Sequence, residues 1–275
     1  MTLGPFVDAT GESLILAAPP SRIVSLVPSV TELLFALGAG DAVAGCTIYC
    51  REPAERVAAI TRVGGEKNPK LELIRELGAD LVIANVEENL REHVVTLRGW
   101  GIPVYVIYPH TVAEGIRLVR DLGAVVGHVA EGLRMEASLL DALHDARRRL
   151  GGRSASRVFY PIWRNPWMTI GRDTYAHDML TVCGGINVFA GATARYPEVT
   201  LAQVEQAAPE VVLLPDEPYR FRQAHLADFE ACPHLPARRD GRIHLVDGKL
   251  ATWYGPRIAE ALHELPRLLA ASRAL

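Results

Sequence analysis

The chain has 275 residues, of which 49% are hydrophobic and 22% are charged. This composition is typical of a soluble globular protein, and the length suffices for one large domain or two ordinary ones. The formal net charge is −3 and the basic residues are scattered, so we expect no nucleic-acid partner. No apolar run approaches the roughly 20 residues that span a bilayer.

Short apolar runs alternate with helical patterns along the chain. Six of these runs are predicted strands, at 22–27, 80–85, 104–108, 157–160, 210–215 and 242–247. Strands separated by helices predict β-α-β units and parallel sheets. After the first strand, "TELLFALG" predicts a helix that is capped by Thr31 and ends at Gly38.

The segment 111–152 predicts helices rather than strands. Thr111 and Glu114 form a capping box, so a helix is predicted to begin near Val112. Glycines separate it from a second helical pattern over 128–150. The second helix would span roughly 35 Å and join the segments on either side as a strut.

The chain also contains a weak internal repeat. "LELIRELGADLVIA", which begins at Leu71, aligns without a gap on "LAQVEQAAPEVVLL", which begins at Leu201. Both read as a helix, a turn and a buried strand, and the agreement in element order favours a duplication. Upstream, the second copy carries a longer loop at 160–180, which holds two of the four tryptophans. That loop is too rich in proline to predict a regular element.

These patterns predict an α/β fold with two Rossmann-like lobes, each with a parallel central sheet, joined by a long backbone helix. The predicted domains are an N-terminal α/β lobe at 1–110, linking helices at 111–152 and a C-terminal α/β lobe at 153–275. Two such lobes would face each other across a ligand cleft.

The four cysteines do not form a disulfide framework in a chain of this length. Cys46 and Cys50 have a C-x3-C spacing, which leaves two interpretations: a local disulfide in an exported chain, or buried thiols. The first basic residue is Arg22, so the sequence shows no export signal with early positive charge followed by an apolar stretch.

Known catalytic motifs are missing from the sequence. There is no phosphate-binding loop, no dinucleotide fingerprint and no nucleophile elbow, and the nine histidines show no metal-ligand spacing. We therefore expect no catalytic residue, no bound metal of the protein's own and no intrinsic cofactor. The aromatic residues of the 160–180 loop instead suit a large flat ligand.

Five motifs, in this order and spacing, resemble the substrate-binding proteins of ABC importers for cobalamin, haem and iron-siderophores, the class with a helical backbone. The motifs are "SLVPSVTELLFALG", "VGGEKNPKLELIRELGADLVIAN", "RVFYPIWRNPWMTIGRDTY", "CGGINVFAG" and "YGPRIAEAL". The vitamin B12-binding branch is most similar, and the resemblance runs from Arg22 to about Leu269. It implies capture of a metal-containing tetrapyrrole or chelate, first of all cobalamin or another corrinoid, for ABC-type import.

The resemblance assigns ligand contacts to aromatic side chains in both lobes. The tyrosine of the family's first lobe falls on Tyr49. In the second lobe, the family's phenylalanine-containing loop falls on the segment that contains Trp163 and Trp167. The family's tryptophan that precedes a proline falls on Tyr196. These four residues are therefore predicted to contact the ligand.

Three positions depart from the tryptophans of the vitamin B12-binding branch. They hold Glu66, Asn85 and Leu250. Trp253 lies close to the last of them in the sequence, and we expect it to compensate by contacting the ligand.

Polar contacts to the ligand are predicted from residues beside the aromatic ones. Arg51 and Arg164 would bind its polar edge, because an arginine fork suits carboxylates, phosphates and amides. The metal of the ligand has two axial candidates, His110 after the 104–108 strand and Tyr49. A solvated loop residue is the alternative interpretation of His110.

Members of the family dock on the permease through one surface glutamate in each lobe. The first falls on Glu72 and the second falls on Ala202. The family implies a periplasmic or cell-surface monomer, whereas the lack of an export signal keeps a cytoplasmic location open. Two alternatives follow: a cytoplasmic carrier or sensor for haem, corrinoid or siderophore without a permease, and a two-lobed enzyme of the metallocluster or transferase type.

Overall fold

The computed structural model describes residues 2–152 and 154–270. The first half contains the elements β1 Leu3–Val7, β2 Ser13–Leu16, β3 Ile23–Ser25, α1 Pro28–Ala36, β4 Val43–Cys46, α2 Ala54–Val57, β5 Thr61–Arg62, α3 Leu71–Glu76, β6 Leu81–Asn85, α4 Arg91–Gly99, β7 Val104–Ile107, α5 Val112–Val125 and α6 Val129–Leu150. The second half contains β8 Ser156–Phe159, β9 Pro161–Trp163, β10 Trp167–Thr169, α7 Tyr175–Val182, β11 Gly185–Asn187, β12 Glu198–Val199, α8 Leu201–Gln206, β13 Val211–Pro215, α9 Pro236–Arg239, β14 Ile243–Val246, α10 Lys249–Thr252 and α11 Arg257–Leu269. Two 3₁₀ helices lie at Gly40–Ala42 and Gln223–Ala231.

The chain divides into two compact units. The first unit contains the residues up to Pro109, Glu114–Ser138 and Tyr254–Pro256. The second unit contains His110–Ala113, Leu139–Trp253 and the residues from Arg257 onwards. The 22-residue helix α6 links them, since its first part belongs to one unit and its second part to the other. Within the described ranges, no helix has both the length and the apolarity that a membrane span requires.

The first unit is built on a five-stranded sheet with the order β5-β4-β3-β6-β7, in which all neighbours are parallel. The interior strand β6 is buried at all five positions. Such continuous burial is expected where a parallel sheet is covered on both faces. One face packs on apolar residues of α3 and α4, including Ile74, Val94 and Leu97.

The second unit is built on a four-stranded parallel sheet with the order β11-β8-β13-β14. Its strand β13 is also buried at all five positions. A small antiparallel sheet, β12-β10-β9, adjoins it in the chain. Several aromatic side chains fill the core of this unit, among them Phe159, Phe221 and Phe229.

The two units repeat one strand order. The strands β4-β3-β6-β7 of the first unit correspond to β11-β8-β13-β14 of the second. Helix α3 and strand β6 align with α8 and β13 without a gap, as the sequence alignment from Leu71 and Leu201 predicts. The predicted α/β class with two parallel sheets and a long linking helix is thus confirmed.

Two local predictions are wrong. Helix α1 begins at Pro28 rather than after Thr31, because proline is favoured in a first helical turn; the Thr31 hydroxyl instead bonds back to the Val27 carbonyl at 3.1 Å. The 160–180 loop contains a regular element, the hairpin β9–β10. Its turn places Asn165 at a φ of 62°, which asparagine tolerates, and Pro166 adds no strand donor there.

The first hairpin, β1–β2, has no counterpart in the sequence predictions. A buried carboxylate, that of Asp8, joins it to the sheet of the first unit. Asp8 accepts hydrogen bonds from the Val106 backbone at 3.1 Å and from the Arg98 guanidinium at 2.5 Å. A charge-assisted bond of this kind offsets the cost of burying the carboxylate.

Helices α5 and α6 approach each other closely enough that a side chain does not fit. A Cβ atom on Gly123 would lie 2.8 Å from the Gly132 Cα and 3.0 Å from the His128 carbonyl oxygen. A Cβ atom on Gly132 would lie 3.1 Å from the Gly123 Cα. The small residues therefore permit backbone contact between the two helices.

The Gly123→Ala variant is expected to lose about 1–3 kcal/mol of unfolding free energy, because the new methyl group overpacks the helix crossing. Urea unfolding followed by circular dichroism measures this loss. Gly99→Ala is the matched control, since nothing lies within 4 Å of its added Cβ, and it should be neutral or stabilising by up to about 1 kcal/mol. Equal effects at both sites would contradict the close crossing.

Candidate functional site

The loop that follows β4 presents an exposed aromatic ring in the first unit. Tyr49 is 52% exposed. Its ring lies beside Gly65, where an added Cβ would be 3.5 Å from the ring edge. The backbone N–H of Ile48 donates to the Gly64 carbonyl at 2.9 Å, which ties the loop to the segment after β5. Tyr49 is thus held at the carboxyl end of the parallel sheet, where ligands bind in α/β folds.

A buried amide network holds the carboxyl ends of β3 and β6. Asn89 accepts from the Asn85 backbone N–H at 2.7 Å and donates to the carbonyls of Leu26 and Glu66 at 3.3 and 3.1 Å. The Asn85 side chain, only 1% exposed, accepts from the Glu87 backbone N–H at 2.7 Å. Asn85 therefore orders the loops at this edge of the sheet. This role accounts for an amide at a position where the vitamin B12-binding branch has a tryptophan.

The hairpin β9–β10 presents the second exposed ring, in the second unit. Trp163 is 44% exposed and meets Tyr219 edge-on, with ring centroids 5.5 Å apart. Tyr219 in turn packs on Phe221 at 4.8 Å and on His225 at 5.6 Å. Edge-to-face contacts of this kind fix the rings in place, so the Trp163 face is presented on a rigid base.

Trp167 is partly buried and packs against the core of the second unit. Its ring stacks on Phe221 at 5.6 Å with an interplanar angle of 18° and meets Phe229 at 5.7 Å. Phe159 is a third neighbour, at 6.4 Å. The two tryptophans of the hairpin thus occupy different environments, and a ligand contact of Trp167 stays a prediction.

Arg164 is engaged in a two-pronged ion pair. Its Nε and Nη2 atoms each donate to one carboxylate oxygen of Asp228, both at 2.7 Å, and the pair is largely shielded from solvent. The hydrogen bond with Asp228 raises the pKa of Arg164, and Tyr219 contributes in the same direction. The pair joins the hairpin to the Gln223–Ala231 helix. Arg51, by contrast, lies exposed on the Tyr49 loop.

A second cluster surrounds Asp173. His110 Nδ1 lies 3.1 Å from one of its oxygens, and Arg195 Nη1 lies 2.6 Å from the other. Burial raises the pKa of Asp173, but the hydrogen bonds with His110 and Arg195 outweigh it, so the pKa stays below its ordinary value. Arg195 also lies over the Tyr196 ring, which is 38% exposed, at 5.8 Å. The His110 imidazole and the Tyr196 ring are thus both oriented by neighbouring charges.

Trp253 is 7% exposed, so most of its ring is covered. Its indole N–H donates to the Glu217 carboxylate at 2.6 Å, and Lys249 lies over the ring at 5.5 Å. Burial raises the pKa of Glu217, and the Trp253 hydrogen bond opposes the rise only in part. The predicted ligand contact of Trp253 is not tested by this arrangement and stays a prediction.

Sequence reasoning missed Glu217, Tyr219 and Phe221. All three lie in "DEPYRF", directly after the carboxyl end of β13. The signal was present, because loops at that end of parallel strands carry ligand sites and this one is aromatic. The charged residues around this tyrosine and phenylalanine, which are typical of a solvated turn, mask that signal in the sequence.

Two parallel α/β units, a long linking helix and exposed aromatic rings on loops at the carboxyl ends of the strands define a class, the substrate-binding proteins with a helical backbone. The chain belongs to the family described as periplasmic binding protein, whose model matches residues 23–250. Its family members are periplasmic binding proteins, which confirms the expectation of a binding protein rather than an enzyme.

Relatives and solved structures agree with this assignment. The vitamin B12-binding protein of Vibrio parahaemolyticus is 29% identical over 255 residues, which cover 90% of this chain and 88% of the relative. The crystal structure of the periplasmic vitamin B12-binding protein of Vibrio cholerae superposes with a TM-score of 0.82 at 24% identity, and covers 91% of this chain and 97% of that one. The periplasmic haem-binding protein of Roseiflexus sp. RS-1 reaches a TM-score of 0.79 at 27% identity, and covers 90% and 97%.

The raised pKa of Glu217 predicts a pH-dependent stability. Folded Glu217 holds its proton more tightly than the unfolded side chain, whose pKa is about 4.3. Its contribution to stability is therefore lost as the pH rises from the unfolded pKa through the folded one. Glu217→Gln should therefore become more stable relative to the native protein as the pH rises above about 4.3.

Urea unfolding at several pH values measures the stability difference between this variant and the native protein. Glu230→Gln, at an exposed position of the same unit, is the control and should give a flat difference. A flat difference for Glu217→Gln as well would show that the carboxylate is not destabilised by burial.

Proposed function

We propose that the protein captures a metal-containing tetrapyrrole or chelate, with cobalamin or another corrinoid as the first candidate, and delivers it to an ABC-type permease. The observation that carries the proposal is the Trp163 ring, exposed on a base of packed aromatic side chains at the carboxyl end of the second sheet. The relatives that cover most of the chain are named for vitamin B12 and haem, which supports a ligand of this class.

Exposed aromatic rings are the physical basis of this proposal. Tyr49, Trp163 and Tyr196 each keep more than a third of their surface in water, although each is fixed by its neighbours. A flat ligand that covers any of these rings would remove apolar surface from water and gain stacking, while little side-chain entropy remains to be lost. We infer that these three residues make the main ligand contacts.

The polar residues have different proposed roles. Arg51, exposed beside Tyr49, would bind an anionic or amide edge of the ligand. Arg164 would act by positioning, since its fork holds Asp228 and it also bonds with Tyr219. His110 and Tyr49 are the two proposed candidates for the axial ligand of the metal. The contact of His110 with Asp173 resembles the way that carboxylates orient metal-binding histidines.

The Trp163→Ala variant should weaken ligand binding by about 1–3 kcal/mol, or roughly 5–150-fold in dissociation constant, without loss of stability, because the ring is an exposed aromatic contact. Absorbance titrations of the purified protein with cyanocobalamin, aquocobalamin, haemin and a ferric siderophore identify the ligand and give the constant. Ile186→Ala, an exposed apolar residue within strand β11, is the control.

Trp167→Ala separates packing from binding in the same titration. The Trp167 ring packs against three phenylalanines. The variant should therefore mainly lose stability, with a free energy of unfolding about 3–5 kcal/mol lower than that of the native protein. An unchanged constant for Trp163→Ala would contradict the proposed contact surface. If none of the four compounds changes the spectrum, the proposed class of ligand is wrong, while the family assignment is unaffected.

Delivery to a permease is proposed to involve Glu72. This residue is exposed in the first turn of α3 and pairs with Arg75 at 2.5 Å. Ala202 occupies the same position of α8 in the second unit. The chain therefore offers the permease a carboxylate from one unit only at these two positions.

Glu72→Ala should lower uptake of labelled cyanocobalamin several-fold in cells that depend on this protein, while the dissociation constant in solution stays the same. The variant would lack the carboxylate that contacts the permease, while its contacts with the ligand would be unchanged. Glu76→Ala, exposed on the same helix, is the control. Uptake that is insensitive to Glu72 would instead favour a carrier or sensor that works without a permease.

A further inference from the structure

The Tyr49 loop covers a pair of buried thiols that the binding function does not use. Cys46 ends β4, and Cys50 lies four residues later, across a turn closed by its backbone N–H and the Thr47 carbonyl at 3.2 Å. Both thiols are fully buried and free, and they are hydrogen-bonded to one another. Two cysteines are thus held side by side at the carboxyl end of the first sheet.

A single guanidinium holds this pair together. Nη1 of Arg62 lies 3.0 Å from the Cys46 sulfur, 3.0 Å from the Thr47 carbonyl and 2.7 Å from the Cys50 carbonyl. Its other terminal nitrogen donates to the Val57 carbonyl at 3.0 Å. The arginine therefore holds the turn closed and places a positive charge beside the Cys46 sulfur. The hydrogen bond with Cys50 and burial raise the pKa of Cys46, and Arg62 opposes that rise only in part.

The Cys50 sulfur is surrounded by groups that stabilise a thiolate. The Thr31 and Thr47 hydroxyls lie 3.1 and 3.2 Å from it. The hydrogen bond with Cys46 lowers the pKa of Cys50, the two hydroxyls act in the same direction, and together they exceed the opposing effect of burial. Cys183 differs, because burial raises the pKa of its thiol to about 12.

We propose that Cys46 and Cys50 form a redox-active dithiol, which closes to a disulfide by exchange with a small-molecule disulfide or with the disulfide of a thiol-oxidising protein. The Cys50 thiolate attacks one sulfur of the donor, forms a mixed disulfide and releases the first donor thiolate. Cys46 then loses its proton to solvent and attacks the Cys50 sulfur, and the second donor thiolate leaves. The pair loses two electrons in total, and the donor disulfide gains them.

This inference goes beyond the proposed binding function and does not depend on the ligand. The sulfur atoms react either before the 46–50 turn is buried during folding or when the folded turn opens. The half-exposed side chains of Ile48 and Tyr49 form the outer side of this turn. The disulfide would close a five-residue ring, 46–50, around the Tyr49 loop. A disulfide across five residues restricts the loop that carries the exposed Tyr49 side chain.

Mass spectrometry of the tryptic peptide 23–51 tests the proposal, because this peptide contains Cys46 and Cys50 and no other cysteine. The native full-length protein is incubated with a mixture of reduced and oxidised glutathione, quenched in acid, alkylated and digested. A second arm refolds the protein from urea in the same mixture. We expect peptide 23–51 to lose two hydrogen atoms and to resist alkylation, while Cys183 and Cys232 are alkylated after denaturation.

The Cys46→Ala variant removes the second thiol and should trap glutathione on Cys50 as a mixed disulfide, which identifies Cys50 as the attacking residue. Closure in the refolding arm alone would also support the pair, as a disulfide made during folding. Full alkylation of Cys46 and Cys50 in both arms would overturn the proposal. So would a disulfide that joins either of them to Cys183 or Cys232.

Discussion

The complete burial of a long interior strand in each unit is the constraint on which the rest of the structure depends. Strands β6 and β13 are buried at all five positions, and each pairs in parallel with a neighbour on both sides. Their side chains are buried and their backbone groups complete the sheet, so neither strand presents a side chain to solvent. Ligand contacts are therefore left to the loops at the carboxyl ends of the strands, where both units present aromatic rings.

The two units hold those loops by different physical means. In the first, buried amides of Asn85 and Asn89 bond to the backbone of the loops. In the second, Trp167 anchors the hairpin among phenylalanines and the Arg164–Asp228 pair braces it. Amide networks and aromatic packing both reduce the entropy that a ligand must remove, so each produces a preorganised surface.

The two repeats keep the same order of helix and strand but differ at an exposed helix position. Helices α3 and α8 and strands β6 and β13 keep one register, whereas Glu72 in one copy stands against Ala202 in the other. The core is constrained by packing, since a change of volume there is costly, whereas an exposed helix position can change without loss of fold.

The sequence by itself determined the repeated α/β units, the long helix α6 and six strands of the parallel sheets, because the alternation of apolar and polar residues and the helix boundaries are local properties. The six strands are β3, β6, β7, β8, β13 and β14. The sequence also indicated the aromatic hairpin as important. Only the tertiary structure decided that Trp163 is exposed while Trp167 is packed, and that Tyr219 belongs to the same surface. Burial depends on partners about fifty residues away in the chain, such as Phe221, and local pattern carries no information about them.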